Sequence, residues 1–194
     1  IGYNPTLFRI QFTSTNTGYI SGDNVLLKTT NSGANWFMLP FHSTGSPNYL
    51  YALYFLNNNT GYISNMVVLQ KTTNGGSTWT LFPNLETRIW TGIYASDTNN
   101  ITVVSSEGYP QYKNIYRTNN GGESWNIQTP VDPSRGNTDV FFLNRDTGFV
   151  TGNLERIYRT TNSGNIWDLV YSGGSYVYVN KIKFINSQTG FAVG

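Results

Sequence analysis

Apolar and polar residues alternate along this chain in short runs that recur. Five of them stand out: LFRIQF, LYALYFL, IWTGIYA, DVFFL and NKIKFI. A second phrase follows each one after a few polar residues: NTGYIS (16–21), NTGYIS (59–64), NNITVV (99–104), DTGFVT (146–151) and QTGFAVG (188–194). Period-two alternation over five to seven residues, rich in aromatic and β-branched side chains, predicts strands; no window of useful length shows a helical period. A third phrase is polar until its last residue: KTTNSGANW, KTTNGGSTW, RTNNGGESW and RTTNSGNIW. The closing residues, Trp36, Trp79, Trp125 and Trp167, lie 43, 46 and 42 positions apart. The first repeat therefore reads as strands over Leu7–Phe12, Thr17–Gly22, Val25–Thr30 and Trp36–Phe41, with turns between them.

Four strands in about 43 residues is the period of a β-propeller blade. The expected fold is all-β, built from four-stranded antiparallel blades. Blades span roughly 4–41, 48–82, 88–128 and 137–170, and a partial fifth spans 179–194. Residue 1 leads straight into a complete first blade, so the ends do not supply the strands missing from the fifth. The expectation is one propeller domain, or a fragment of one, over 1–194, within a ring of six to eight blades. A four-bladed ring would leave the fifth half-blade without a place.

The polar phrase carries Thr-x-Asn-x-Gly-x-x-Trp in every copy: Thr29, Asn31, Gly33, Trp36; Thr72, Asn74, Gly76, Trp79; Thr118, Asn120, Gly122, Trp125; Thr160, Asn162, Gly164, Trp167. Asn bonds turn backbone and tolerates left-handed geometry, Gly accepts positive φ, and Trp buries a large face while its N–H finds a carbonyl. The pattern resembles the Asp-box, or BNR, repeat, with Asn where the usual residue is Asp. Together with T-G-Y/F and K/R-T-T-N-x-G, it resembles the photosystem II stability/assembly factor type of propeller and related secreted bacterial repeat proteins. Sialidases, xyloglucan-cleaving hydrolases and sortilin share the box on related propellers. The resemblance implies that the box is a structural turn away from the ligand face, and that the partner is a protein met in assembly. It also implies an extracellular, periplasmic or cell-surface setting. Calcium or sugar binding at the box is the functional alternative, against which Asn removes the charge a hard cation prefers.

Lys28, Lys71, Arg117 and Arg159 precede the four boxes. In a ring they would form an arc of positive charge able to meet an acidic partner. The plainer reading lays their stems over aromatic surface and leaves the heads in water. Repeats differ most in the connections His42–Asn48, Pro83–Arg88, Thr129–Asn137 and Tyr171–Tyr178, and in an insertion over Ser105–Asn114. Variable loops on a rigid scaffold carry binding. The candidate binding patch is therefore His42, Arg88, Trp90, Tyr109, Tyr112, Asp132 and Arg135. Trp90 has a second reading, as a residue packed inside strand one.

Charged residues are 11% of the chain and net charge is +2, with no basic run, so nucleic acid is not an expected partner. There is no cysteine, which excludes disulfides and thiol chemistry. No stretch of about 20 apolar residues predicts a membrane span, and no cofactor or metal is expected. Asn58 and Asn100 head glycosylation-type triplets that read as chance in so Asn- and Thr-rich a chain. No sialidase-type Arg-Ile-Pro motif is present, and His42 is the one histidine. The acids in variable loops are Glu86, Glu107, Asp132 and Asp139, and nothing forces two of them into a glycosidase pair. Two functions follow: a non-catalytic propeller for protein binding or assembly, and a carbohydrate-active or glycan-binding propeller. A carboxylate pair beneath aromatic loops would favour the second.

Overall fold

The structure is a computed structural model that describes residues 4–43, 45, 48–83, 85–106, 115–128, 136–174 and 177–194. Among the described residues, eighteen strands form four four-stranded antiparallel sheets and one two-stranded sheet. The first sheet joins β1 (Leu7–Phe12), β2 (Gly18–Gly22), β3 (Val25–Thr29) and β4 (Phe37–Met38) in chain order. The second joins β5 (Ala52–Phe55), β6 (Gly61–Ser64), β7 (Leu69–Thr72) and β8 (Thr80–Leu81). The third joins β9 (Trp90–Ala95), β10 (Ile101–Ser105), β11 (Ile115–Thr118) and β12 (Asn126–Gln128). The fourth joins β13 (Asn137–Phe142), β14 (Gly148–Gly152), β15 (Arg156–Thr160) and β16 (Asp168–Ser172). The last pairs β17 (Lys181–Phe184) with β18 (Gly190–Val193). Strand one lands on its predicted bounds, but strand four of the first sheet is only two residues long. Pro40 explains the truncation, because it has no N–H to donate to a ladder. Leu39 still donates to the Leu26 carbonyl at 2.8 Å.

The chain divides into two compact units, Ile1–Trp90 and Thr91–Gly194. In the first, Tyr19, Leu26, Leu50, Phe55 and Ile63 form a buried cluster between the two sheets. In the second, Val104, Ile115, Val140, Phe142 and Trp167 do the same. Recurring cross-strand pairs tie the first turn of four of the five sheets. Phe12 faces Gly18, Phe55 faces Gly61, Phe142 faces Gly148 and Phe184 faces Gly190. Each phenyl ring lies across its glycine. A Cβ on Gly61 would sit 2.3 Å from the Phe55 ring, and one on Gly148 2.6 Å from the Phe142 ring. The same rings meet the box tryptophans edge-on, Phe55 with Trp79 at 84° and Phe142 with Trp167 at 80°. The third sheet breaks the pattern in both partners at once. Ala95 and Ile101 stand where the others have Phe and Gly.

Hydrogen bonds as well as packing hold the sheets of the first unit together. The Gln11 amide bonds both backbone groups of Phe55, each at 2.8 Å. The Tyr19 ring stacks on Phe55 at 3.6 Å, and its hydroxyl donates to the Asn58 carbonyl at 2.8 Å. Burial pushes the Tyr19 phenol up to about 12. A phenol raised above its unfolded value near 10 keeps its proton longer when folded, so its contribution is present below pH 10 and is lost as pH climbs through 12. Lys28 works the other way, because burial lowers its ammonium. The Tyr19 share of stability, read by urea unfolding, should therefore fall between pH 10 and 12. Tyr19→Phe should flatten that slope at a cost of about 1 kcal/mol at neutral pH. An unchanged slope in Tyr19→Phe would remove this residue from the account. In the second unit, buried Asp139 accepts from Lys181 at 2.9 Å and from the Ile182 N–H at 3.1 Å, joining β13 to β17.

Candidate functional site

The four boxes are one hydrogen-bonded object built four times. In the second, the Thr72 hydroxyl donates to Asn74 Oδ1 at 3.0 Å and accepts from the Gly76 N–H at 3.0 Å. Asn74 Oδ1 also accepts the Thr78 N–H at 2.9 Å. The other copies repeat this around Thr29, Thr118 and Thr160, with the Gly N–H to Thr distance between 2.8 and 3.0 Å. Two consecutive residues take positive φ in each: Ser32 and Gly33, Gly75 and Gly76, Gly121 and Gly122, Ser163 and Gly164. The Thr hydroxyl and the Asn side-chain oxygen are thus spent inside the turn in all four copies. The Trp N–H varies. Trp167 donates to the Gln128 side-chain oxygen at 3.0 Å, whereas buried Trp79 Nε1 finds no carbonyl among the described residues. The expectation that each Trp N–H meets a carbonyl therefore fails at Trp79, whose ring is held by Phe55 instead.

The basic residues before the boxes are not equivalent. Lys28 Nζ lies 5.3 Å from the Tyr19 ring centroid and donates to the Gly75 carbonyl at 2.9 Å. Its head is therefore tied to the neighbouring box rather than left in water. The Arg117 guanidinium lies 5.6 Å from the Phe142 centroid. Burial lowers its affinity for the proton, with Arg145 adding repulsion and Asp146 opposing both. Arg159 is exposed. In the second unit Arg117 and Arg145 border a polar cavity of about 250 Å³ with Asn100, Asn126 and Gln128.

The connection after β4 is fixed by amides that interrupt the repeat. Fully buried Gln70 occupies the position of Leu27, Tyr116 and Tyr158 in the other blades. Its side chain accepts the His42 N–H at 2.7 Å and donates to the His42 carbonyl at 3.0 Å. Buried Asn65 donates to the same carbonyl and to Asn48 Oδ1, each at 3.3 Å. Asn48 donates to Asn24 Oδ1 at 3.1 Å and to the Ser43 hydroxyl at 2.9 Å. The backbone of His42 is thus locked from below while the residue itself stays exposed. Beside this loop Phe8, Tyr49 and Tyr51 gather their rings within 5.1–6.1 Å. Burial raises the Tyr51 phenol, and Tyr49 and Asp23 raise it further.

Of the candidate patch, His42 is at the surface. Trp90 is fully buried, with its carbonyl accepting from Ser64 at 2.9 Å, so it is a core residue. Arg88 is 2% exposed and pairs with Glu86 at 2.5 Å, which places it beneath the surface rather than on it. Tyr109, Tyr112, Asp132 and Arg135 lie outside the described residues, as does Glu107. Sequence reasoning missed Gln70, Asn65, Asn48 and the Phe8–Tyr49–Tyr51 group. The available signal was an amide at an otherwise apolar repeat position. Among the described residues no three His, Asp or Glu side chains gather in a metal-binding group. The described residues also contain no helix long and apolar enough to cross a membrane.

These blades, boxes and Phe–Gly pairs define a BNR-type β-propeller. The chain belongs to the photosynthesis system II assembly factor YCF48 family, whose sequence model matches residues 1–136. A solved structure described as YCF48 bound to D1 peptide is similar over all of this chain and 95% of its own, with a TM-score of 0.55 and 16% identity. An ancestral GH74 enzyme matches 86% of this chain with a TM-score of 0.70 and 20% identity. A GH74 enzyme from Niastella koreensis matches 88%, with 0.68 and 21%. The chain spans only 24% and 30% of those two enzymes. No curated protein matches the chain by sequence.

Proposed function

We propose that this chain is a non-catalytic propeller that binds a protein segment, with the locked His42 loop and the Phe8–Tyr49–Tyr51 group as part of the contact surface. Family membership supports a role in assembly, and the likeness to YCF48 bound to D1 peptide supports a peptide as the thing bound. The observation that carries the reading is the buried amide network. Gln70 is buried where the other complete repeats place Leu or Tyr, and with Asn65 and Asn48 it forms a polar network that packing alone does not need. What it provides is a loop held in one conformation before binding, which lowers the ordering cost of association. The half-buried Phe8, Tyr49 and Tyr51 rings then supply contact area. The setting belonging to this reading is extracellular, periplasmic or at the cell surface, to be checked by fractionating the cells that make the protein.

Fluorescence anisotropy with a labelled D1 peptide tests the binding. Saturable binding is expected. Gln70→Leu, which installs the residue of the first repeat, should leave thermal stability equal or higher yet weaken binding about tenfold through loss of loop order. His42→Ala should weaken it by a smaller factor. No saturable binding, or binding indifferent to both variants, would refute the assignment. Of the four variable-loop acids, the two described are each engaged by a cation: Glu86 is paired with Arg88, and Asp139 with Lys181.

A further inference from the structure

Asn-Gly occurs twice in the sequence, and both times inside a box: Asn74-Gly75 and Asn120-Gly121. The other two boxes have Asn31-Ser32 and Asn162-Ser163. A glycine after Asn leaves its backbone nitrogen unshielded, because no Cβ stands beside it. That nitrogen can attack the Asn side-chain carbon Cγ. A C–N bond forms, and the side-chain amide leaves as ammonia together with the glycine's amide proton. A five-membered imide remains. Water opens it at either carbonyl, giving Asp or the chain-lengthened isoaspartate.

We infer that Asn74 and Asn120 are the protein's deamidation sites and that the folded box keeps them closed. Both reacting partners are tied down. The Gly75 N–H donates to the Asn59 carbonyl at 2.8 Å, and the Gly121 N–H to the Asn99 carbonyl at 3.0 Å. The carboxamides are held at both ends. Asn74 Nδ2 donates to the Thr78 hydroxyl at 2.8 Å while Oδ1 accepts from Thr72 and the Thr78 N–H. Asn120 Nδ2 donates to the Ser124 hydroxyl at 2.9 Å while Oδ1 accepts from Thr118 and the Ser124 N–H. Attack requires the glycine nitrogen to leave its carbonyl and the amide to swing off two donors, which is a local opening of the box.

The two products differ in consequence. Asp keeps both accepting bonds through a carboxylate oxygen, and the Thr78 hydroxyl can turn to donate to it. It recreates the acid of the usual box and removes one unit from the net charge of +2. Isoaspartate adds a carbon to the main chain just before Gly75. The Gly75 carbonyl holds Lys28 at 2.9 Å, so this lengthening should loosen the seam between the first two sheets.

The test is peptide mapping by mass spectrometry after incubation at mildly alkaline pH, with and without unfolding urea. In urea, Asn74 and Asn120 should deamidate well ahead of Asn31 and Asn162. In the folded protein both should slow by at least about tenfold, which corresponds to 1.4 kcal/mol of opening. Thr78→Ala removes only the hydroxyl partner of Asn74 from an exposed position, so it should speed Asn74 in the folded protein and leave Asn120 unchanged. Equal folded and unfolded rates at the two sites would overturn the inference. So would Asn31 or Asn162 reacting as fast as they do, or a Thr78→Ala protein in which Asn74 reacts at the wild-type rate.

Discussion

Gly61→Ile should leave the chain unable to hold its first unit, with a loss of 4 kcal/mol or more, about the upper range for a single substitution. Even the first carbon of the new side chain falls 2.3 Å from the Phe55 ring, and that ring has nowhere to go. It is stacked on Tyr19 at 3.6 Å on one side and set edge-on to Trp79 on another. Overpacking of a closed core is not relieved by small shifts. The same substitution should become tolerable when Phe55→Ala is made with it. The third sheet already carries this exchange, Ala95 with Ile101, at the equivalent positions. The double variant should recover most of the loss and settle about 2 kcal/mol below wild type, the residue being the forfeited aromatic contacts of Phe55. Denaturant unfolding of the two single variants and the double measures this directly. Additive losses would mean that the large and small partners do not share one space, and the pairing argument would fail.

That exchange is visible in the sequence once the repeats are aligned, and so is most of the fold. Strand one, the second phrase and the box could be placed because each repeats with its chemistry intact. Strand four could not be bounded, because Pro40 stops it early while the apolar run continues to Phe41. The site was less legible for a physical reason. Arg88 ends a variable stretch, Trp90 follows it at the head of β9, and both carry side chains expected of a binding patch, yet both are buried. Sequence position alone does not distinguish an aromatic that faces a partner from one that fills the space Leu50 fills in the preceding repeat. Lys28 misleads in the same way. Its charge suggests a surface arc, but its ammonium is spent on a backbone carbonyl of the next box. The amide network was the opposite case. Gln70 went unread although it is one polar residue at a position where the repeats otherwise place Leu or Tyr, and only the hydrogen bonds to His42 say what it is for.

The box invites a sharper question, which of its residues bears the turn. Thr72→Val should destabilise the protein by about 3 kcal/mol, while Asn74→Asp should change stability by less than about 0.5 kcal/mol. Valine matches threonine in shape, so packing is preserved and only the hydroxyl is lost. That hydroxyl is buried and serves three groups: it accepts from the Gly76 and Asn74 N–H groups and donates to Asn74 Oδ1. Gly76 is buried and held at a φ of 89°, so its N–H has no water to turn to when the hydroxyl goes. An unpaired buried donor costs its full desolvation, unlike an exposed one. Asn74, by contrast, acts through Oδ1 alone within the turn, and an aspartate oxygen accepts the same two bonds. Its Nδ2 bond to Thr78 is at the surface, where water replaces it. On this argument the threonine, not the Asn or Asp that usually names the motif, is the residue the turn cannot lose. Paired urea titrations decide it. Asn74→Asp destabilising more than Thr72→Val would reverse the assignment and make the side-chain amide the essential group.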